Sequence, residues 1–506
     1  MLLNTVIFLP LAAAVILLLV PKGDARPAKA IALAGAVATF ALSLAFLGAG
    51  PNASAQFSIP WITGALPASY HLRVDGISLF FVLLTTLVSV PAIWAAFSYA
   101  DQRRLRGYLF LLLAFETTLL GVFTAGDLLL FYVYWDLMLI PVFLLLAGYT
   151  DSAAARRAAW GYLIYNGAGG LVLLLGIVGM VAVTRTFEVL GHSFAFSAAA
   201  EPWLFAAFAL AFLIKTPVFP FHGWMPATYT QAPSPVVAMV AGVQSKAGLY
   251  GFLVFALPLF PNAAHRFAGP LVALGVISVL YGAFTALGQR DMKTLVAFSS
   301  LSHLGLVILA LFAFDITSVP ASILMVVSHG LIAAALFLLL GFIEERTRTR
   351  DLSAFGGLGA RAPRLQVLML IAAMAALGLP GLSGFAGEFL IFIGSWQTQP
   401  VATAISLLSV ILATVYVLRV FQGAMNGPLS APADARITEL RPREGWLVAP
   451  LLAAMFWLGV WPAWLNDRTP TTVGSHEAQT AVPHKAQAIA ESKVLSGLLG
   501  ASETAR

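Results

Sequence analysis

The sequence predicts an all-α integral membrane protein of about fourteen spanning helices, and three observations lead there. Of 506 residues, 60% are hydrophobic and 10% charged, and the mean hydropathy is +0.91, a balance soluble globular chains do not reach. Apolar runs close to the ~20 residues that cross a bilayer recur from end to end, rather than once as an anchor. Lysine and arginine fall between the runs, mainly in alternate intervals. A β-barrel would need short alternating segments, which the sequence lacks. The net charge of +6 is spread between helices and gathers on no soluble face, so no nucleic acid partner is expected. Cysteine is absent, which excludes a disulfide framework, a thiol nucleophile and the usual iron–sulfur ligation, and puts electron transfer on another chain.

The runs begin near Leu2, Lys29, Gly76, Gly107, Leu128, Ala158, Pro202, Pro233, Phe267, Thr294, Val319, Leu365, Val401 and Gly445. The first lacks a basic n-region and a clear cleavage site, so it reads as helix 1 and not as a signal peptide. Basic clusters follow odd-numbered runs: Lys22, Arg26 and Lys29; Arg103, Arg104 and Arg106; Arg156 and Arg157; Arg290 and Lys293; Arg346, Arg348 and Arg350; Arg436, Arg441 and Arg443. Loops after even-numbered runs hold only Arg73, Arg185 and Arg266. Odd-numbered loops are therefore expected inside and both termini outside, on the periplasmic side of a bacterial inner membrane.

Two runs are interrupted. Run seven breaks at Lys215 to Pro220 and run twelve at Gly378 to Gly384. Proline removes a backbone donor and glycine loosens the turn, so backbone groups are freed at membrane depth, tolerable only where protein or water covers them. Five runs separate the breaks, the spacing of two five-helix units made of runs four to eight and nine to thirteen; an odd-numbered repeat enters the membrane from the opposite side, so the units are inverted. The expected organisation is three N-terminal helices in 1–106, a first unit in 107–258, a second in 267–425, a last helix in 445–466 and a polar, poorly ordered tail in 467–506. Residues 51–70 and 184–201 read as external loops, and the Pro- and charge-rich stretch 426–444 carries no assigned chemistry.

Few ionisable residues lie inside the runs: Glu116, Asp136, Lys215, Lys246, His303, His329 and Glu388. Polar groups between membrane helices often serve packing, and for either histidine alone that reading stands beside the functional one. It is weaker for Asp136, Lys215, Lys246 and Glu388, because a charge at the bilayer centre costs roughly 2.5–3.5 kcal/mol on insertion scales. Glu116 fits either reading, and Arg419 snorkels to the inner surface. The functional reading is a proton relay. Burial and a nearby opposite charge push a titrating group in opposite directions, so a lysine beside a switchable acid can hold or release a proton. Asp136 with Lys215 would form that switch, Lys246, His303 and His329 would pass the proton on, and Glu388 would end the path in the second broken helix. The two histidines have no further ligands clustered near them in sequence, so no metal site is expected. No Walker, GxGxxG or GxSxG pattern points to nucleotides or hydrolysis.

The blocks FYVYWDLMLIP, LIKTPVFPFHGWMPATYTQAPSPVVAMVAGVQSKAGLYG, FSSLSHLG, SHGLIAAALF and GLPGLSGFAGEF resemble the antiporter-like subunits of respiratory complex I, relatives of multisubunit cation/proton antiporters and membrane-bound hydrogenases. Glu388 stands where most of these subunits carry lysine and the subunit M branch (chain 4 in mitochondria) carries glutamate, and the long lateral helix of the distal subunit does not follow the last run. The resemblance implies a proton-translocating membrane subunit without its own cofactor, driven by NADH oxidation and quinone reduction in partner subunits that hold FMN, iron–sulfur clusters and quinone. It also implies that Lys215 and Lys246 lie on a central hydrophilic axis, connected through His303 and His329 toward Glu388. Asp136 departs from the family's usual glutamate by one methylene, so a bridging water to Lys215 is expected in place of a direct contact. The alternatives are a cation/proton exchanger without an oxidoreductase partner, and a scaffold that only transmits conformational change.

Overall fold

The computed structural model describes residues 1–21, 25–48, 55–64, 66–99, 101, 103–150, 152–189, 194–429 and 436–470. Lys22 and most of the expected polar tail lie outside the described residues, as do parts of the loops at 51–70, 184–201 and 426–444. In chain order the elements are α1 (Leu2–Leu19), α2 (Ala25–Ser43), β1 (Ala55–Ile62), β2 (Ala68–Val74), α3 (Ser78–Tyr99), α4 (Leu105–Thr124), α5 (Leu128–Leu137), α6 (Leu139–Tyr149), α7 (Ala153–Thr184), α8 (Ala200–Lys215), α9 (Met225–Gln231), α10 (Ser234–Gly242) and α11 (Ala247–Gly251). There follow α12 (Leu257–Leu259), α13 (Pro261–Gly288), α14 (Met292–Leu311), α15 (Ser318–Thr347), α16 (Leu358–Arg361), α17 (Pro363–Ala376), α18 (Ser383–Thr398), α19 (Pro400–Ser406), α20 (Leu408–Met425), α21 (Pro442–Val460) and α22 (Ala463–Asn466).

The all-α expectation needs one correction, because β1 and β2 pair as an antiparallel hairpin. Alternation in AQFSI places Ala55, Phe57 and Ile59 on one face before the register shifts between Pro60 and Ile62, a strand pattern too short to compete with the helical runs around it. The hairpin is fastened to α5: Asp127 caps that helix by accepting from Leu129 N (2.8 Å) and Leu130 N (3.1 Å), while its other oxygen accepts from Ser69 N of β2 at 3.1 Å.

Among the described residues, eleven helical segments are long and apolar enough to cross a membrane. Three expected runs are not among them, each for a local reason. The helix of run seven stops at Lys215, run twelve is divided between α17 and α18, and α21 opens on Pro442-Arg443-Glu444. Burial sorts the spans into layers. The apolar windows of Ser234–Leu259 and Ser318–Thr347 are wholly enclosed by protein and that of Met292–Leu311 is 94% enclosed, against 39% for Leu2–Leu19 and 33% for Pro400–Met425. Segments α10 to α12, α14 and α15 therefore form the core, and the N-terminal pair, α7, α13 and α20 face outward. A charged group placed on the core helices meets protein and not lipid.

The freed backbone of the first break is satisfied locally, as burial requires. Trp224 Nε1 donates to the Ile214 carbonyl at 2.8 Å, and Phe219 N donates to Ser278 Oγ of α13 at 2.9 Å. In the second break Gly378 adopts φ +75°, open to glycine at no steric cost, and a Cβ there would lie 2.7 Å from Glu388 Oε2. Two further interruptions carry weaker sequence signals. Run five bends at Met138, where Pro141 has no N–H for the Leu137 carbonyl. Run eight leaves the helix at Val243, passes through a 3-10 turn at Gln244–Lys246, and includes a π-helical turn at Phe252–Ala256 just before Pro258.

Candidate proton relay

Four of the expected residues follow one another in a row through the core. Lys246 is completely buried on the 3-10 turn between α10 and α11. Its amine contacts the Ala241 carbonyl, lies 3.1 Å from Ser245 Oγ, and lies 2.9 Å from Nδ1 of His329 on α15. The His329 and His303 ring centroids are 5.5 Å apart. His303, on α14, places Nε2 3.3 Å from Glu388 Oε1 on α18. All four residues are at most 7% exposed.

The turn that carries Lys246 has a chemical cause. The Ala241 carbonyl takes hydrogen bonds from the side chains of Ser245 (3.1 Å) and Lys246, local bonds that compete with the helical ladder. Gln244 Nε2 meets the Tyr162 hydroxyl of α7, which fixes the same turn from the other side. The register against α15 comes from two glycines in backbone contact: a Cβ on Gly330 would lie 2.6 Å from the Gly242 carbonyl oxygen, and one on Gly242 would lie 3.1 Å from that of Gly330. His329 immediately precedes Gly330, so this crossing brings it to Lys246.

The other three expected residues are not joined to this line by hydrogen bonds. Lys215 ends α8, is 1% exposed, and its Nζ has no hydrogen-bond partner; it lies 4.8 Å from the centroid of the Trp135 ring. The expected Asp136–Lys215 switch is therefore not a direct pair in this conformation. Trp135 occupies the face of Lys215, and the neighbouring Asp136 directs Oδ1 at α7, where a Cβ on Gly170 would lie 2.2 Å away. Glu116 of α4 is fully buried with neither oxygen hydrogen-bonded.

Sequence reasoning missed several participants. Trp135, Gln244 and Tyr162 belong to the surroundings of the two lysines, and only the adjacency of Trp135 to Asp136 could have marked one of them. Lys293, expected among the loop charges, is 2% exposed in the first turn of α14. Glu344 Oε2 pairs with it at 2.6 Å, and Arg350 joins Glu344 (3.4 Å) to Asp291 (2.9 Å). No group of three or more metal-binding side chains occurs among the described residues.

All four side chains in the row are of types that take up and release protons. An imidazole accepts a proton on one nitrogen and releases it from the other, so His329 and His303 can each transmit without net displacement. Lys246 at one end and Glu388 at the other are groups of opposite charge type, both desolvated.

Comparison with known proteins gives the family and the fold. Residues 125–414 match the family described as NADH:quinone oxidoreductase/Mrp antiporter, TM. NADH-quinone oxidoreductase subunit M of Mycobacterium tuberculosis (strain CDC 1551 / Oshkosh) is 34% identical, covering 96% of this chain and 97% of that protein. The chain belongs to the subunit M family. Subunit M of Rhodobacter capsulatus is 36% identical, covering 92% of this chain and 94% of the relative. A chain of respiratory complex I from Thermus thermophilus with bound NADH superposes with a TM-score of 0.83 at 32% identity, covering 92% of this chain and 98% of that one. The chain is thus a multi-pass membrane protein of antiporter-like fold.

Proposed function

We propose that the chain is the proton-translocating subunit M of an NADH:quinone oxidoreductase in a bacterial inner membrane. The observation that carries this reading is the row Lys246–His329–His303–Glu388 across three core helices and a broken one, polar contacts at its two ends and two neighbouring imidazoles in the middle. Electron transfer from NADH to quinone belongs to partner subunits, where FMN, iron–sulfur clusters and quinone are held, together with neighbouring antiporter-like subunits. Lys215 and Asp136 form the input side of the relay, joined through water because no direct bond links them. Glu116 is a further buried carboxyl of the relay.

The architecture in this proposal has fourteen spans. Two inverted five-helix units occupy 107–258 and 267–425, preceded by three helices in 1–106 and followed by helix 445–466 and the tail. The placement of one break after Lys215 and the other just before Glu388 supports the repeat. The alternation of basic loops supports termini on the periplasmic side.

The test is NADH-driven proton uptake by vesicles containing the assembled enzyme with Lys246→Met. At least a tenfold loss of pumping with normal subunit content is expected; full pumping in the assembled variant sinks the relay. Because the matching family description also names Mrp antiporters, an exchanger is the second reading. Purification through this chain decides it: a flavin- and iron–sulfur-bearing arm accompanies a subunit M and is missing from an exchanger.

A further inference from the structure

A cleft of about 590 Å³ opens between the first turns of α17 and α21, built partly by the 426–444 stretch. Its floor is apolar, with Val367, Leu368 and Leu440, and Trp446 stands at its side. Arg364 and Arg441 line the same cleft. The volume is within the ~300–1,000 Å³ typical of small-molecule sites.

The two guanidinium groups at this cleft have no direct carboxylate partner. Glu439 accepts from Arg364 N (2.9 Å), Leu365 N (3.4 Å) and Leu440 N (2.8 Å). Glu444 accepts from Arg346 Nη2 at 2.6 Å and from Arg441 N at 2.8 Å, and the Glu345 charge acts on Arg441 without a direct bond. Among the described residues no carboxylate lies within ion-pair distance of the Arg364 or Arg441 guanidinium. Two planar guanidinium groups above an apolar floor are matched to a phosphate above acyl chains. Trp446, 72% exposed, and Val367, 55% exposed, extend that floor outward to the level where tryptophan anchors membrane proteins. Basic pockets between helix ends on the arginine-rich side of a membrane recognise anionic lipid headgroups.

We propose that this cleft is a specific site for one anionic glycerophospholipid, its phosphate held between Arg364 and Arg441 and its acyl chains on Val367, Leu368 and Trp446. The lipid ties α17 to α21. Helix α17 leads directly into the break where Gly378 abuts Glu388, so the bound lipid braces the end of the relay.

The experiment uses the assembled enzyme, purified in mild detergent and returned to nanodiscs of phosphatidylcholine alone or with phosphatidylglycerol. Mass spectrometry of retained lipid should show the R364Q/R441Q double variant losing one anionic phospholipid per enzyme, and at least fivefold more phosphatidylglycerol should be needed to restore its turnover. Equal retention and equal response in variant and wild type overturn the site. A measurement on the unmodified enzyme covers failure of the variant to assemble: photoreactive phosphatidylglycerol should label the peptides around Arg364–Leu368 and Leu440–Ala449 at least fivefold more than the phosphatidylcholine analogue. Equal labelling by the two lipids, or a segment of a neighbouring subunit seated in the cleft, overturns it as well.

Discussion

Lys246 and Lys215 are both buried, yet they differ in how far their surroundings satisfy them. The Lys246 amine has a carbonyl, a hydroxyl and an imidazole around it, while the Lys215 amine has no hydrogen-bond partner and faces the Trp135 ring, with the Asp136 charge acting on it without a direct bond. Removing a partner from a buried hydrogen bond leaves the other group unsatisfied, at ~1–3 kcal/mol each. Lys246→Met strands His329 Nδ1, so the assembled enzyme should dissociate at a lower temperature than wild type. Lys215→Met breaks no direct hydrogen bond, although it takes the cation away from Asp136, so its dissociation temperature should fall less than that of Lys246→Met although pumping falls. Thermal scans of the two purified variants check this contrast, and equal destabilisation would place a hidden partner on Lys215. Trp135→Leu tests the remaining contact. Losing the ring over a desolvated cation removes ~2 kcal/mol of attraction, and coupled turnover of the reconstituted enzyme should fall several-fold while subunit content is unchanged.

At the scale of elements, the contact between α10 and α15 decides whether Lys246 and His329 meet. Gly330→Ala places a methyl 2.6 Å from the Gly242 carbonyl oxygen and 2.7 Å from Leu84 Cδ2, contacts that backbone must yield to. Overpacking of this kind costs ~1–3 kcal/mol and moves helices apart. Pumping should drop at least tenfold although every titratable residue is intact, whereas Gly269→Ala, with open space at its Cβ position, should leave it unchanged. This crossing also marks the boundary of what the sequence makes legible. The breaks at Lys215–Pro220 and Gly378–Gly384 are punctuated by proline and glycine, and the ionisable residues stand out against apolar runs, so both could be read locally. The Gly242–Gly330 pairing, the turn at Gln244–Lys246 and the burial of Lys293 depend on which helices face each other, which is tertiary information. Asp136 illustrates the same limit: its spacing to Trp135 was visible, but the side chain aimed at Gly170 and not at Lys215 was not.

For the whole molecule, the inverted pair of units makes a claim about sides that a labelling experiment can decide. The chain contains no cysteine, so any single cysteine introduced reports without background. Arg103 and Arg266 lie just before the first and the second proposed unit, and both are exposed. If each unit contains an odd number of spans, the two positions lie on opposite faces of the membrane. If the basic loops are inside, Arg103 is the inner one. A membrane-impermeant maleimide added to intact cells should therefore label Arg266→Cys, while Arg103→Cys should react only once the membrane is opened. Labelling of both from one side would mean an even number of spans between them and would end the inverted-repeat reading. The reversed pattern would keep the repeat and turn the whole molecule over, placing the Arg364–Arg441 cleft at the outer leaflet. The same pair of variants thus fixes both the symmetry of the fold and its orientation in the membrane.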